Sequence, residues 1–242
     1  LGGASNVVIK DQKITGLVIR NLYREKKILI ENSSETIMKI SSGYPISLLV
    51  RETVEAGLSG LEYHLGLPGS IGGALYMNSK WTHPDSYVGD HLIEAELINK
   101  EGIIKKVHLD YFQFGYDASI LQKTKEIVLT ATFKLKKTNK EELKRAMSEA
   151  FEYRKKTQPM GVFTSGCFFK NVKGQSVGKM IDELGLKGYA IGDFSVSLHH
   201  ANFIIHKGNG RYEDLQKLVS FIKLRVKERY GVVIEEEVVY IQ

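Results

Sequence analysis

Brief β-type runs open the chain. Between Val7 and Ile40 the apolar positions gather at Gly16 to Arg20, Lys27 to Ile30 and Glu35 to Ile40, the last two parted by Glu31-Asn32-Ser33-Ser34, which is the mark of strands joined by polar turns. After Pro45 the period changes. Ile46, Leu49, Val50 and Val54 recur at helical spacing, Glu52 and Glu55 fall on the other side, and Gly57 supplies a stop. A Gly-rich stretch follows. Strand patterns return at His91 to Asn99, Ile103 to Leu109 and Ile127 to Leu135, with Lys100-Glu101-Gly102 as a hairpin turn between the first two. Asn139 is a good N-cap for a helix through Lys155, acidic in its first turn (Glu141, Glu142) and basic in its last (Arg154, Lys155, Lys156). That helix is placed to link two domains. Beyond it the pattern predicts a helix from Ser176 to Leu184, a strand from Asn202 to His206, a long helix from Glu213 to Tyr230 and a closing strand from Val232 to Tyr240. The layout is α+β, without internal repeat or low-complexity tract.

Composition changes this picture little. With 242 residues, 43% hydrophobic and 26% charged, the chain is an ordinary globular one that can bury a real core, and disorder, collagen and coiled coil are excluded. No apolar run approaches the ~20 residues that span a bilayer. Cys167 is the only cysteine, so an internal disulfide and a thiolate zinc site are both excluded, and the seven histidines show no zinc spacing. The reading is a cytoplasmic protein without membrane attachment. The net charge of +6 is modest and its lysines mostly alternate with acids. No RNP motif, finger spacing or basic stripe appears, so nucleic acid is not the expected partner.

The segment Gly66-Leu67-Pro68-Gly69-Ser70-Ile71-Gly72-Gly73-Ala74 puts four glycines in eight positions just before Leu75-Tyr76-Met77-Asn78. Backbone without Cβ lets N–H groups approach a diphosphate, and a following helix start favours the negative charge. It is neither the G-x-G-x-x-G fingerprint nor a P-loop. Its spacing alone fits equally a tight turn that packs a helix on a sheet, and the turn Leu1-Gly2-Gly3-Ala4-Ser5-Asn6 has the same two readings.

These two turns, followed by Phe114-Gly115-Tyr116, Ser165-Gly166-Cys167-Phe168-Phe169-Lys170-Asn171, His200-Ala201-Asn202-Phe203-Ile204-Ile205 and Glu235-Glu236-Glu237-Val238, resemble in order and spacing the UDP-N-acetylenolpyruvoylglucosamine reductases (MurB) of the shorter subtype. The resemblance runs along nearly the whole chain. It implies an FAD-binding fold of the PCMH/vanillyl-alcohol-oxidase-like type with a smaller α+β substrate-binding domain. By this reading residues 1–20 are a remnant of the first FAD-binding subdomain, which lacks about 50 preceding residues and is incomplete. Residues 21–155 form the second FAD-binding subdomain, joined by a returning strand at 233–242, and residues 156–232 the substrate-binding domain.

The resemblance also implies the chemistry: FAD and NADPH reduce the enolpyruvyl ether of UDP-N-acetylenolpyruvoylglucosamine, a UDP-sugar, to UDP-N-acetylmuramate, in a monomer. The family's proton donor is usually the Ser of Gly-Ser-x-Phe-Lys, and here Cys167 takes that position. A thiol, with a free pKa of ~8.5, is the better acid, although a lone cysteine is more often an inert buried one. Glu237 matches the family's active-site glutamate, and in a strand it would share a face with Glu235; otherwise this is a solvated edge. FAD-binding positions carried over are Gly2, Gly3, Ala4, Ser5, Asn6, Gly66, Pro68, Gly69, Ser70, Gly72, Gly73, Ala74, Asn78 and Ile127. Substrate-binding positions are Tyr116, Lys170, Asn171 and His200; no metal is implied.

Three positions depart from the family. Its Tyr-Arg pair reads Tyr116-Asp117, a Lys before Gln-Pro reads Thr157, and an Arg after Glu-Val reads Val239. Reversing a charge beside a developing enolate costs several kcal/mol unless another cation replaces it. Ser79 to Ser86, with the only Trp, Trp81, also replaces a shorter family segment. Two alternatives therefore stand beside the reductase: a homologue that binds FAD or a UDP-sugar without catalysis, and a flavoenzyme with another acceptor.

Overall fold

The computed structural model describes residues 1–10, 13–14, 16–172 and 174–241. Along the chain, β1 (Val7–Ile9), β2 (Lys26–Glu31) and β3 (Glu35–Ser41) precede α1 (Ile46–Glu55), β4 (Leu58–Ser59) and α2 (Ile71–Met77). There follow β5 (Lys80–Thr82), β6 (Asp85–Tyr87), β7 (Leu92–Ile98), β8 (Ile104–His108), α3 (Leu121–Thr124), β9 (Ile127–Lys137) and α4 (Lys140–Thr157). The remainder is α5 (Val177–Glu183), β10 (Ala190–Ile191), β11 (Phe194–Val196), β12 (Ile204–His206), α6 (Tyr212–Tyr230) and β13 (Val239–Ile241). Two compact units result, Leu1–Gly3 with Val18–Tyr153, and Ala4–Leu17 with Arg154–Gln242.

The first unit is built on an antiparallel sheet of order β2-β3-β9-β7-β8, with β4 also paired to β9. Strand alternation gives it two different faces. Met38 and Ile40 of β3, Ala95 and Leu97 of β7, and Ala131, Phe133 and Leu135 of β9 form one core cluster with Ile46, Leu49 and Val50 of α1. Lys39 and Glu96 pair at 2.6 Å and Lys106 and Glu94 at 2.7 Å, partly exposed contacts that contribute little each. The hairpin turn forms as the sequence predicts: Ile98 pairs with Ile104, and Gly102 takes φ +81°. Asn139 caps α4 by accepting from the N–H groups of Glu141 and Glu142 at 2.9 and 3.3 Å.

In the second unit α5, α6 and the small antiparallel sheet β10-β11-β12 enclose a core of Phe168, Phe169, Val177, Ile181, Leu218, Ile222 and Val226. β1 and β13 pair in parallel, Val7 opposite Val239.

Two expectations are corrected. Gly16 to Arg20 forms no strand. Leu17 and Ile19 stand exposed, and the segment is tied locally, Leu1's amino group donating to Ile19 O and Asn21 N–H to Leu1 O, where a strand would need a ladder. The closing strand is confined to Val239–Ile241, because residues 232–238, although bonded to Phe168 and Lys170 and buried at Ile234 and Val238, form one isolated bridge, Glu236 to Phe169, and no ladder. Residues 1–3 fall in the first unit and residues 4–17 in the second. The β1–β13 pairing draws residues 4–17 and the closing strand together into the second unit.

Candidate active site

In the first unit the two Gly-rich turns pack on each other. A Cβ on Gly2 would strike Ser70 Oγ, and one on Gly3 would lie 2.7 Å from Gly69 Cα, closer than real Cβ atoms come. Gly72 is pressed on Ser42, where a Cβ would sit 3.0 Å from Ser42 Cβ. These three glycines serve close packing. Gly66 and Gly69 turn the chain at φ +82° and +106°, a region open to glycine. Ser70 caps α2, its Oγ accepting weakly from Gly73 N–H at 3.5 Å, and Asn78 ends it at φ +46°.

The N–H groups of Gly66, Ile71 and Gly72 are taken by Ser47 Oγ, Tyr44 O and Ser42 O. Gly3, Pro68 and Gly73 are exposed. A Cβ on Gly73 would meet nothing nearer than Ser70 Oγ at 3.8 Å, so its bareness serves no packing. The surface there is bare backbone beside a helix start, which fits a phosphate-bearing cofactor. The packing reading of the loop is met at Gly2, Gly3 and Gly72, while Gly73 stays open at the surface. Ala74 lies buried behind this surface. Ile127, at the start of β9, is an exposed side chain paired in backbone with Ile98. Tyr116 is exposed, and Asp117 follows it at φ +49°, its carbonyl accepting from Gln122 Nε2 at 2.8 Å.

The second unit holds Cys167 from both sides. Cys167 bridges Phe203, and Phe168 N–H donates to Asn202 O at 2.7 Å. On the other flank Glu237 N–H donates to Phe168 O and Lys170 N–H to Glu235 O, both at 2.9 Å. Successive side chains of such a segment point to opposite faces, yet Phe168 and Phe169 are both about 1% exposed. The segment is therefore interior, held by isolated bridges and not by a strand ladder, each ring adding roughly 1.5–3 kcal/mol of burial. Asn202, itself buried, clamps it twice: its Oδ1 accepts from Phe169 N–H at 3.0 Å and its Nδ2 donates to Phe169 O at 2.7 Å.

Neighbouring predicted residues are tied into the same network. Asn6 Nδ2 donates to Glu237 O at 3.4 Å, and Val239 N–H to Asn6 O at 3.0 Å. Ser5, beside it, is half-buried and Ala4 takes φ +55°. Asn171 Oδ1 accepts from Val177 N–H at 3.1 Å at the start of α5. His200 Nδ1 accepts from Asn202 N–H at 3.2 Å, and burial holds this imidazole below its ordinary value. Lys170 Nζ lies 3.9 Å from the largely exposed Glu235, while Glu236 pairs with Lys223. Of the three consecutive acids only Glu235 is fully solvated.

Two residues of this unit were given no role of their own by the sequence. Asn202 reads as one polar residue among many, because its clamp reaches across 33 positions. Arg154 reads as a helix-end cation, yet it is 6% exposed, held by Gln158 Oε1 at 3.1 Å. Burial pulls its guanidinium down to about 10, and attraction to Cys167 opposes that. A guanidinium at that value is still charged at neutral pH.

Among the described residues no helix is long and apolar enough to cross a membrane, and no group of three or more His, Cys, Asp or Glu side chains gathers for a metal ion.

Residues 1–108 match the model of an FAD binding domain, and residues 158–241 that of the C-terminal domain of UDP-N-acetylenolpyruvoylglucosamine reductase. The first span contains the glycine turns and the second Cys167 and Glu237. The reductase of Chlamydia felis is 34% identical over 98% of this chain and 77% of its own length; that of Thermotoga petrophila is 34% identical over 98% and 82%. The crystal structure of the Thermus caldophilus reductase (MurB) superposes with a TM-score of 0.75 at 38% identity, covering 84% of this chain and 72% of that one. With the glycine turns in one unit and Cys167 in the other, both within the matched spans, the chain belongs to the UDP-N-acetylenolpyruvoylglucosamine reductase family.

Proposed function

We propose that the chain catalyses the FAD-dependent, NADPH-driven reduction of UDP-N-acetylenolpyruvoylglucosamine to UDP-N-acetylmuramate, a step of peptidoglycan precursor synthesis. The observation that carries the site assignment is the pairing of the Cys167-Phe168 segment with Glu237, whose N–H donates to Phe168 O at 2.9 Å. A proton source and a carboxylate are thereby fixed on adjacent backbone.

When bound, FAD supplies hydride transfer from NADPH to the terminal carbon of the enolpyruvyl group. The turns Gly2 to Asn6 and Gly66, Pro68, Gly69, Ser70, Gly72, Gly73 and Ala74, with Asn78 and Ile127, are its binding residues in this reading. Cys167 Sγ delivers its proton to the carbon next to the one that receives hydride. The thiolate left behind is the charge that Arg154, buried and drawn to Cys167, is suited to offset. Glu237 faces the substrate carboxylate, and Tyr116, Lys170, Asn171 and His200 orient the nucleotide sugar. Neutral His200 offers a donor or acceptor without adding charge. The same reading makes the enzyme a cytoplasmic monomer.

The test is NADPH oxidation by the FAD-loaded protein with and without UDP-N-acetylenolpyruvoylglucosamine. Oxidation that depends on the substrate supports the reading. A folded, flavin-loaded protein that shows no such dependence overturns it and leaves Asp117, in place of the family's arginine, as the mark of a binder without catalysis.

A further inference from the structure

The hairpin β5–β6 takes no part in the chemistry above, although it carries the only tryptophan. Trp81 is 4% exposed and donates its Nε1–H to His83 O at 2.8 Å, which folds the turn back on its own strand. The Trp81 ring meets Tyr153 of α4 edge-on at 5.9 Å, and the His83 ring lies 5.4 Å from the same tyrosine. Ser86 of the hairpin is hydrogen-bonded to the buried His64 at 3.2 Å. The hairpin is thereby braced at both ends.

Between this turn, Tyr63 and α4 lies a groove of about 300 Å³. Ala146, Glu149, Ala150 and Tyr153 line it from α4, at the i, i+3, i+4 and i+7 positions that share one helix face. The two alanines make a shallow apolar floor. The rings of Tyr63, His83 and Tyr153 form the walls, and the tyrosine faces carry negative potential. Glu149 makes no ion pair among the described residues. Other charges nearby are already engaged: Glu62 accepts from Gly60 N–H at 2.5 Å, and Lys80 pairs with Asp85 at 2.8 Å. Tyr63 is held above its ordinary value by burial first and then by Glu62 and Glu149, so both carboxylates act on this wall of the groove.

This combination selects among ligands. An anion is repelled by Glu149, a metal ion would find one carboxylate where it needs several oxygens, and a neutral apolar molecule has no use for the charge. The volume falls at the lower end of small-ligand sites, roughly 300–1,000 Å³. We propose that the groove binds a small organic ammonium ion, its charged head among the rings of Tyr63, His83 and Tyr153 and against the Glu149 carboxylate. Such a ligand would pin the hairpin to α4, and the hairpin continues directly from Asn78 at the end of α2.

The sole tryptophan makes the test local. The FAD-loaded protein is titrated with choline and, separately, with 3,3-dimethylbutan-1-ol, which has the same shape with carbon in place of the charged nitrogen, while Trp81 emission is followed. Choline is expected to saturate, with the neutral analogue about tenfold weaker or more. Glu149→Gln should weaken choline about tenfold, leave the analogue unchanged, and leave NADPH oxidation unchanged, since Glu149 lies outside the reductase machinery. Equal titration by the two compounds, no saturation by choline, or choline binding that survives Glu149→Gln would overturn the proposal.

Discussion

In the first unit the candidate site is made of what is missing: Gly3 and Gly72 let turns close on each other, and Gly73 leaves bare backbone at the surface. In the second unit it is made of what is present, a thiol, an amide clamp at Asn202 and a buried Arg154. The two materials fail in different ways. A backbone cradle is lost by adding one methyl group at the wrong glycine, whereas a side-chain site is lost by removing one functional group. Binding of cofactor and delivery of a proton should therefore be separable by mutation.

The largest separation is expected at Cys167. Cys167→Ala should lower turnover roughly a hundred- to ten-thousand-fold, the usual worth of a positioned acid, while anaerobic reduction of bound flavin by NADPH keeps its rate. If both rates fall together, or neither does, the division between the units is wrong. Asn202→Ala comes next. It leaves two buried backbone groups of Phe169 without partners, at about 2–4 kcal/mol, read as a drop in the denaturation midpoint with turnover impaired even where the protein is folded.

The glycines then divide among themselves. Gly3→Ala should cost about 1–3 kcal/mol of stability through the clash with Gly69. Gly73→Ala has room and should leave stability unchanged or slightly higher, yet weaken FAD about tenfold, equivalent to 1.4 kcal/mol, by placing a methyl in the cradle. Unaltered FAD binding in Gly73→Ala would reduce the loop to a packing turn.

The smallest effect is one of pH. Burial depresses the folded-state value of His200 below 6.5, so on acidification the unfolded chain takes up the proton first. Its contribution is fully present above about pH 6.5 and is lost as pH falls through the depressed folded value. The slope of stability against pH in that window should flatten in His200→Gln, measured by urea denaturation at stepped pH.

Much of the fold was legible because its signals are local. The period change after Pro45, the Lys100-Glu101-Gly102 turn and the Asn139 cap each depend on neighbours within a few residues, and each formed. What failed was non-local. Gly16 to Arg20 has strand composition but pairs in no ladder among the described residues, and Val232 to Tyr240 forms a ladder over only its last part because its neighbours come from distant segments. The same distinction runs through the site. Cys167 stood out by its place in a short motif, but nothing near Arg154 in sequence tells of its burial, which the packing around α4's end decides. Asn202 lies within the His200 to Ile205 motif, and its role emerges only with Phe169 across from it.

The parallel pairing of Val7–Ile9 with Val239–Ile241 carries a consequence for synthesis. Asn6 and Glu237, bonded to each other, are 231 residues apart in sequence. The first unit draws almost all its residues from one continuous stretch and can assemble while translation continues, whereas β1 must wait for β13 to emerge from the ribosome. Until then its unit has an open edge, and a protease or chaperone that meets the nascent chain meets it there. Cell-wall precursor synthesis by this protein thus begins only after β1 has been joined by β13, made much later in the chain.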